Sequence, residues 1–257
     1  MKITILTLFP DMFTGFTSQS IIKRAIDKGL VSFYMVNIRD YTTDRYGRVD
    51  TPPIGGGAGL VMKAQPFVSA LNAVSSEHTH KVLLAPTGKP FTQTEAHRLS
   101  NKDELLFACG HYEGIDARVE PYFDEQISLG DFILTGGELG AMVISDAIIR
   151  LIPGAIETTS LDLESFDDGL LEYPQYTEPY EFEGEKVPSL LYSGHHEAIN
   201  KWRRLMRLVT TRELRPDLFA KYKLTKQDKK LLDDHDAGIH PKWLLEAINN
   251  GHKFMKE

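Results

Sequence analysis

Along the first 154 residues, short apolar runs of strand length alternate with segments whose apolar residues have helical spacing. The strand-like runs are 2–9, 31–38, 81–85 and 104–108. The helical segments are 18–28, 64–75, 92–100 and 138–152, the last of which ends at Pro153-Gly154. Strands that alternate with helices are typical of a mostly parallel sheet covered on both faces, so this pattern predicts an α/β domain.

The pattern becomes helical throughout from Ser193 onward. Thr225 and Asp228 have the spacing of a capping box that begins one helix. Segment 241–249 predicts a last short helix, with Gly251 just past its end. An earlier helix is indicated by apolar positions that fall on one face, namely Ile199, Trp202, Met206 and Val209. The C-terminal unit is therefore predicted to be small and all-helical.

The segment between these regions is acidic and shows little periodicity. Residues 157–185 contain ten Asp and Glu side chains and no Lys or Arg. We interpret 158–187 as an interdomain linker or active-site loop between an α/β domain, 1–157, and a helical domain, 188–257. Residues 201–230 contain eleven Lys and Arg against three acids. This basic stretch is either a solvated helix face or a nucleic-acid surface. The net charge of −7 does not exclude a nucleic-acid surface, because the distribution of charge matters more than its sum.

Composition limits the class of protein. A chain of 257 residues with 42% hydrophobic content forms one large domain, or one domain and a smaller one. Cys109 is the only cysteine, which excludes an intramolecular disulfide and favours a cytoplasmic location. The apolar N-terminal run is interrupted by Pro10 and Asp11, so it is interpreted as a buried strand and not as a targeting segment. No apolar run approaches about 18 residues, and no membrane partner is expected.

Two glycine-containing segments, 85–88 and 109–116, follow predicted strands, and a third lies at 129–139. Ligands of open α/β sheets bind at the carboxyl ends of strands, so the three loops are predicted to converge on one small-molecule pocket. A fourth segment, 54–59, fits G-x-G-x-G but follows no convincing strand, and it is either a flexible loop or a backbone that approaches a ligand or RNA. No P-loop or H-E-x-x-H motif is present, and His195-His196 is better explained by helix capping than by metal binding.

Five runs of sequence are specific. They are GHYEGID (110–116), LGDFILTGGELGAM (129–142), RLIPG (150–154), SFDDGLLEYPQYT (165–177) and VPSLLYSGHHEAINKWR (187–203). Together they resemble the bacterial tRNA (guanine-37-N1)-methyltransferases of the knotted, SPOUT-type superfamily. The resemblance implies a trefoil-knotted parallel-sheet domain followed by a small all-helical domain. It also implies S-adenosylmethionine as methyl donor, Mg²⁺, a homodimer whose active sites use both subunits, and tRNA rather than DNA as partner.

The resemblance assigns S-adenosylmethionine to the three loops. Glycines let their backbone approach the cofactor closely, and apolar side chains can wall its adenine. The implied cofactor residues are Leu84, Pro86, Gly88, Gly110, Tyr112, Leu129, Gly130, Asp131, Phe132, Ile133, Leu134, Gly136, Gly137 and Gly140.

The resemblance also assigns catalytic roles. Glu164 matches the position of the carboxylate that accepts the proton from guanine N1, with Asp162 and Asp167 as reserves. Arg150 would stabilise charge on guanine O6, and Glu113 would lie near the guanine or the metal. Each has an ordinary alternative: a helix-ending charge for Arg150, a solvated acid for Glu164 and a turn residue for Glu113. No protein ligand set for a metal is predicted.

RNA contacts are expected from the loop 54–59 and from the basic helices, which would bind phosphates while the target base is swung out of the anticodon loop. The residues are Gly57, Gly59, Lys201, Arg203, Arg204, Arg207, Arg212 and Arg215. The chain departs from the family pattern at Glu164 (usually Asp), Gly140 (commonly Pro) and Glu178 (expected Arg). A methyltransferase for another RNA position and a non-catalytic RNA-binding module remain as alternatives.

Overall fold

The computed structural model describes residues 1–157 and 164–254, and the chain divides into two compact units, 1–161 and 162–257. The predicted reserve base Asp162 lies outside the described residues. In the described ranges, no helix combines the length and the apolar character needed to cross a membrane.

The first unit is built on a sheet of five strands, β1 (Lys2–Thr7), β2 (Ser32–Asn37), β5 (His80–Pro90), β6 (Glu104–Cys109) and β7 (Glu125–Ser128). Their order in the sheet is β2-β1-β6-β5-β7, and every pairing is parallel. A separate antiparallel pair consists of β3 (Asp50–Thr51) and β4 (Val61–Met62). The predicted parallel sheet is confirmed. The edge strand β7 was not predicted, because four residues with the sequence EQIS carry no apolar run.

Helices cover both faces of this sheet, as the alternation of strands and helices along the chain predicts. They are α1 (Thr14–Thr17), α2 (Ser20–Asp27), α3 (Ala64–Val74), α4 (Gln93–Ser100) and α5 (Glu138–Arg150). On β6, Leu105 and Phe107 enter the core that includes residues of α2, α4 and α5, whereas Leu106 and Ala108 enter the core beneath α3. Successive side chains of a strand point to opposite faces, so the near-continuous apolar sequence of β6 reflects burial on both sides.

A break in register opens the carboxyl end of the sheet. Leu84 and Lys89 of β5 both align with Ile127 of β7, so residues 85–88 leave the ladder as a loop. A Cβ atom on Gly88 would lie 2.5 Å from the backbone of Ile127, which is closer than real Cβ contacts. Glycine at this position therefore lets β5 rejoin β7 directly after the loop.

The described part of the second unit contains a short hairpin, a 3₁₀ helix at Ser189–Tyr192 and four α-helices. The strands and α-helices are β8 (Glu181–Phe182), β9 (Glu185–Lys186), α6 (His196–Leu214), α7 (Pro216–Phe219), α8 (Lys226–Asp236) and α9 (Lys242–Phe254). The capping box of Thr225 and Asp228 is present, as predicted. The interpretation of Gly251 as a residue past the helix end was wrong, because α9 continues to Phe254 and Gly251 packs against the backbone of Ser189.

Part of the acidic segment packs against α6. Leu170 is fully buried in a cluster with Leu205 and Leu208, and Asp168 forms an ion pair with Arg207. Leu170 therefore contributes to the core of the second unit, which a residue of a freely solvated linker would not do.

Candidate functional site

A pocket of about 530 Å³ lies at the carboxyl ends of β5, β6 and β7. Its walls are formed by the loops at 84–87, 110–116 and 129–137. The volume falls within the range of roughly 300–1,000 Å³ that is usual for small-molecule sites. The prediction that the three glycine-containing loops converge on one pocket is confirmed.

The residues assigned to the cofactor nearly all line this pocket. Those that do are Leu84, Pro86, Gly110, Tyr112, Leu129, Gly130, Phe132, Ile133, Leu134, Gly136, Gly137 and Gly140. Gly88 and Asp131 are not among its lining residues: Gly88 packs against the Ile127 backbone, and Asp131 is exposed. Gly88 therefore supports the first loop by packing against β7, without lining the pocket itself.

Close backbone contact joins the second and third loops. The Gly137 amide donates a hydrogen bond of 2.9 Å to the Gly110 carbonyl oxygen. A Cβ atom on Gly137 would lie 2.7 Å from Cα of Cys109, and one on Gly136 would overlap the side chains of His111 and Glu138. Only glycine at 136 and 137 allows the loops to meet at this distance.

A buried carboxylate that the sequence analysis did not single out holds the same loops. Glu138, 1% exposed, begins α5; its Oε1 accepts a 2.6 Å hydrogen bond from Thr7 Oγ1, and its Oε2 lies 2.7 Å from Nε2 of His111. His111 lines the pocket, so Glu138 links β1, the second loop and the start of α5. The sequence feature that could have identified Glu138 is an acid at the first position of an apolar helix, directly after two glycines.

The second loop presents Tyr112 and Glu113 to the pocket. Tyr112 has a φ of +60°, an uncommon conformation for a residue other than glycine. Burial and a hydrogen bond with Asp50 raise the pKa of its hydroxyl. The Glu113 amide donates a 2.9 Å hydrogen bond to the Leu60 carbonyl oxygen, and its carboxylate lies against Gly59. The loop 54–59 therefore borders a predicted catalytic residue.

The other catalytic candidates lie outside the pocket lining. Arg150 is in the last turn of α5, and Glu164 and Asp167 belong to the second unit. Glu164 begins a turn in which the Phe166 amide donates a 2.8 Å hydrogen bond to the Leu170 carbonyl oxygen. Within residues 1–157 and 164–254, no group of three His, Cys, Asp or Glu side chains is placed to hold a metal ion.

The predicted RNA-binding arginines of α6 differ in their surroundings. Arg207 is 1% exposed and donates to Asp168 and to the Leu171 carbonyl oxygen, so the phosphate contact predicted for it is corrected to a structural role. Arg204 donates to both carboxylate oxygens of Asp228. Arg203 lies with its guanidinium carbon 4.8 Å from the centre of the Tyr173 ring. Lys201 forms an ion pair with Glu197, Arg212 forms one with Asp236, and Arg215 forms one with Asp217.

A family model described as tRNA (Guanine-1)-methyltransferase TrmD matches residues 1–221. The chain belongs to this family. It is 56% identical over 234 residues to a tRNA (guanine-N(1)-)-methyltransferase of Clostridium perfringens, covering 90% of this chain and 99% of that protein. It is 54% identical over 241 residues to a protein of the same name from Clostridium botulinum, covering 93% of this chain and all of that protein. This member of the tRNA (guanine-1)-methyltransferase family is thus a methyltransferase.

Membership of a methyltransferase family implies S-adenosylmethionine as methyl donor, and the pocket of this family member fits that molecule. Leu129, Phe132 and Leu134 provide apolar surface for an adenine, while Gly110 and Gly136 line the pocket without side chains that would occupy it. The acids Glu113 and Glu120 on the pocket lining suit a ligand with a positive sulfonium and an ammonium group.

We expect Glu138→Gln to weaken S-adenosylmethionine binding by about tenfold while the protein stays folded. The change removes the charge from a buried hydrogen bond to His111, and bonds of this type contribute about 1.5–3 kcal/mol. Isothermal titration calorimetry measures the dissociation constant. Glu77→Gln, which changes an exposed acid that does not line the pocket, is the matched control and should bind the cofactor nearly as the wild type does. Equal affinity in the two variants would show that Glu138 does not hold the pocket.

Proposed function

We propose that this methyltransferase transfers a methyl group from S-adenosylmethionine to N1 of guanosine 37, the nucleotide just 3′ of the anticodon in tRNA. The observation that supports the proposal most strongly is the single pocket formed by the three glycine-containing loops in a chain of the tRNA (guanine-1)-methyltransferase family. The names of the Clostridium relatives support tRNA as substrate and guanine N1 as acceptor.

The reaction needs a base, because guanine N1 carries a proton and is a poor nucleophile until that proton leaves. Glu164 accepts the N1 proton as N1 attacks, and Arg150 stabilises the charge that develops on O6. When bound, the cofactor supplies a methyl group already activated on its sulfonium. Glu164 is left holding the N1 proton after methyl transfer, and the donor would leave as a neutral thioether. Glu113 orients the guanine at the pocket edge.

The proposal includes a trefoil knot in the first domain and a homodimer. Backbone contacts at Gly88 and Gly137, too close for a Cβ atom, are consistent with chain crossings of the kind that a knot requires. Leu139 and Val143 lie one turn apart on α5 and are both about half exposed. An apolar helix face of this kind is consistent with a subunit interface beside the pocket loops.

Further parts of the proposal concern the remaining predicted roles. The proposed division of the chain is a cofactor domain, 1–157, an active-site linker, 158–187, and a tRNA-binding domain, 188–257.

Mg²⁺, a hard cation, would act with acidic groups such as Glu113 and with water. A cytoplasmic location agrees with Cys109 being the only cysteine of the chain, which excludes an intramolecular disulfide.

We expect methyl transfer from labelled S-adenosylmethionine to unmodified tRNA that carries guanosine at position 37, and none to the same transcript with adenosine there. Removing Mg²⁺ with EDTA should slow the reaction, and added Mg²⁺ should restore it. Nuclease digestion and mass spectrometry would place the label on N1-methylguanosine. Label at another nucleotide would assign the enzyme to a different RNA position, and cofactor binding without any transfer would favour a non-catalytic RNA-binding protein.

A further inference from the structure

A second cavity, of about 420 Å³, lies within the second unit between α6 and the segment 173–178. Three tyrosines and a tryptophan contribute to its lining, namely Tyr173, Tyr176, Tyr192 and Trp202. The Tyr176 and Trp202 rings are 6.4 Å apart between centroids and tilted by 45° to each other. Tyr176 is 45% exposed, so part of this aromatic surface is open to solvent. The first pocket contains none of these residues.

Arg203 brings positive charge to this cavity. Its guanidinium packs over the Tyr173 ring at 4.8 Å, a cation–π geometry that leaves the edge of the guanidinium available for hydrogen bonds. The other arginines of α6 are neutralised: Arg204 by Asp228, Arg207 by Asp168 and Arg212 by Asp236. In the described part of the chain, no carboxylate lies within ion-pair distance of Arg203. Its Nε, which is buried, also has no hydrogen-bond partner there.

A partly open aromatic cavity beside an un-neutralised guanidinium has the chemistry of a site for single-stranded nucleic acid. Aromatic rings stack on the faces of unpaired bases, and arginine neutralises the adjoining phosphate. A peptide or membrane surface does not require this combination, whereas an RNA loop offers both groups on each nucleotide. The charge of Arg203 therefore favours a nucleotide as the occupant over an uncharged apolar ligand.

We propose that this cavity binds one unstacked nucleobase of the substrate tRNA, distinct from the guanine that is methylated, with the adjoining phosphate on Arg203. The inference rests on the proposed function for the identity of the RNA. The base stacks on the aromatic lining, and the phosphate lies on the Arg203 side. Holding a second nucleotide outside the first pocket would orient the loop of the tRNA during methyl transfer.

Glu178 sets the direction in which the nucleotide enters. It lines the same cavity and accepts a hydrogen bond from Tyr192, whose pKa is raised by burial and then by this carboxylate. A carboxylate repels phosphate but accepts hydrogen bonds from the N–H groups on the edge of a base. The edge of the base therefore faces Glu178, and the phosphate faces Arg203.

The test is binding of unmodified tRNA transcript to the full-length protein without cofactor, measured by filter retention at several salt concentrations. Arg203→Gln should weaken binding about tenfold and lower the slope of log K against log salt by about one, because one phosphate contact is lost. Tyr176→Leu should weaken binding about tenfold, since the stacking surface is lost, and leave the salt slope unchanged.

Two matched controls separate a specific site from general charge and apolar effects. Lys242→Gln removes one positive charge from the exposed start of α9, and Phe254→Leu removes one exposed ring at the end of α9. Both should change tRNA affinity less than twofold. If Arg203→Gln equals Lys242→Gln, or Tyr176→Leu equals Phe254→Leu, the cavity does not bind a nucleotide. If the variants show the expected changes in tRNA binding but the wild-type protein transfers no methyl group, the proposed function is overturned and the cavity remains a nucleotide-binding site.

Discussion

Glu164→Gln should lower the single-turnover rate of methyl transfer by about 10²–10⁴-fold, with little change in the affinities for S-adenosylmethionine and tRNA. A positioned general base contributes a factor of this size, and glutamine cannot accept the N1 proton. The loss should therefore lie in the chemical step and not in binding. Rapid-quench measurements with enzyme in excess over tRNA give the rate directly.

The control is Glu164→Asp, which keeps the carboxylate and shortens the side chain by one methylene. It should retain far more activity than Glu164→Gln. Asp167→Asn tests the nearest described alternative in the same turn. If Glu164→Gln stays active while Asp167→Asn loses activity, the base is Asp167; if both stay active, the base lies elsewhere, and Asp162→Asn is the next variant.

The turn that carries Glu164 is built by local hydrogen bonds. The Phe166 amide donates to the Leu170 carbonyl oxygen, and the Glu172 amide donates to Ser165 Oγ at 2.9 Å. Phe166 has a φ of +74°, a conformation that a side chain other than glycine adopts only when its surroundings hold it. The position of the proposed base therefore depends on how firmly this turn is held to the second unit.

Much of the first unit could be predicted because its signals are local. Apolar runs predicted the parallel strands at 2–7 and 104–109, and glycine-containing segments predicted the loops that meet in one pocket. The short strand β7 left no such signal. Its place at the sheet edge depends on pairing with β5, whose register breaks around the loop 85–88. Pairing between distant segments cannot be deduced from periodicity alone.

Side-chain roles were harder to predict than elements, because they depend on partners far away in sequence. Glu138 acquires its role from Thr7, which is 131 residues away. Arg207 was expected on an RNA surface because it lies in a basic run, but Asp168, 39 residues earlier, draws it into the interior. A basic sequence pattern does not indicate which arginines are already neutralised, so the un-neutralised Arg203 could be recognised only in the structure.

Asp168→Asn should destabilise the second unit by about 3 kcal/mol. The substitution leaves the Arg207 guanidinium buried without its counter-charge, and breaking a buried pair in this way costs roughly 3–5 kcal/mol. The low end applies because Asp168 is itself 43% exposed, so part of the ion pair is screened by water. Urea unfolding followed by circular dichroism and tryptophan fluorescence, with Trp202 and Trp243 both in this unit, measures the change.

Asp217→Asn is the matched control, since it breaks an exposed pair with Arg215 and should barely shift the urea midpoint. The pH dependence separates the two further. Burial raises the pKa of Asp168, but hydrogen bonds from Arg207 outweigh it and leave the pKa below its usual value. A carboxyl group of this kind stabilises the fold above its unfolded pKa of about 3.9, and this contribution is lost as the pH falls through the lower folded pKa. The stability difference between wild type and Asp168→Asn should therefore be constant near neutral pH and shrink below about pH 4. A difference that persists undiminished in acid would mean that Asp168 acts through packing, and that charge does not hold the turn carrying Glu164.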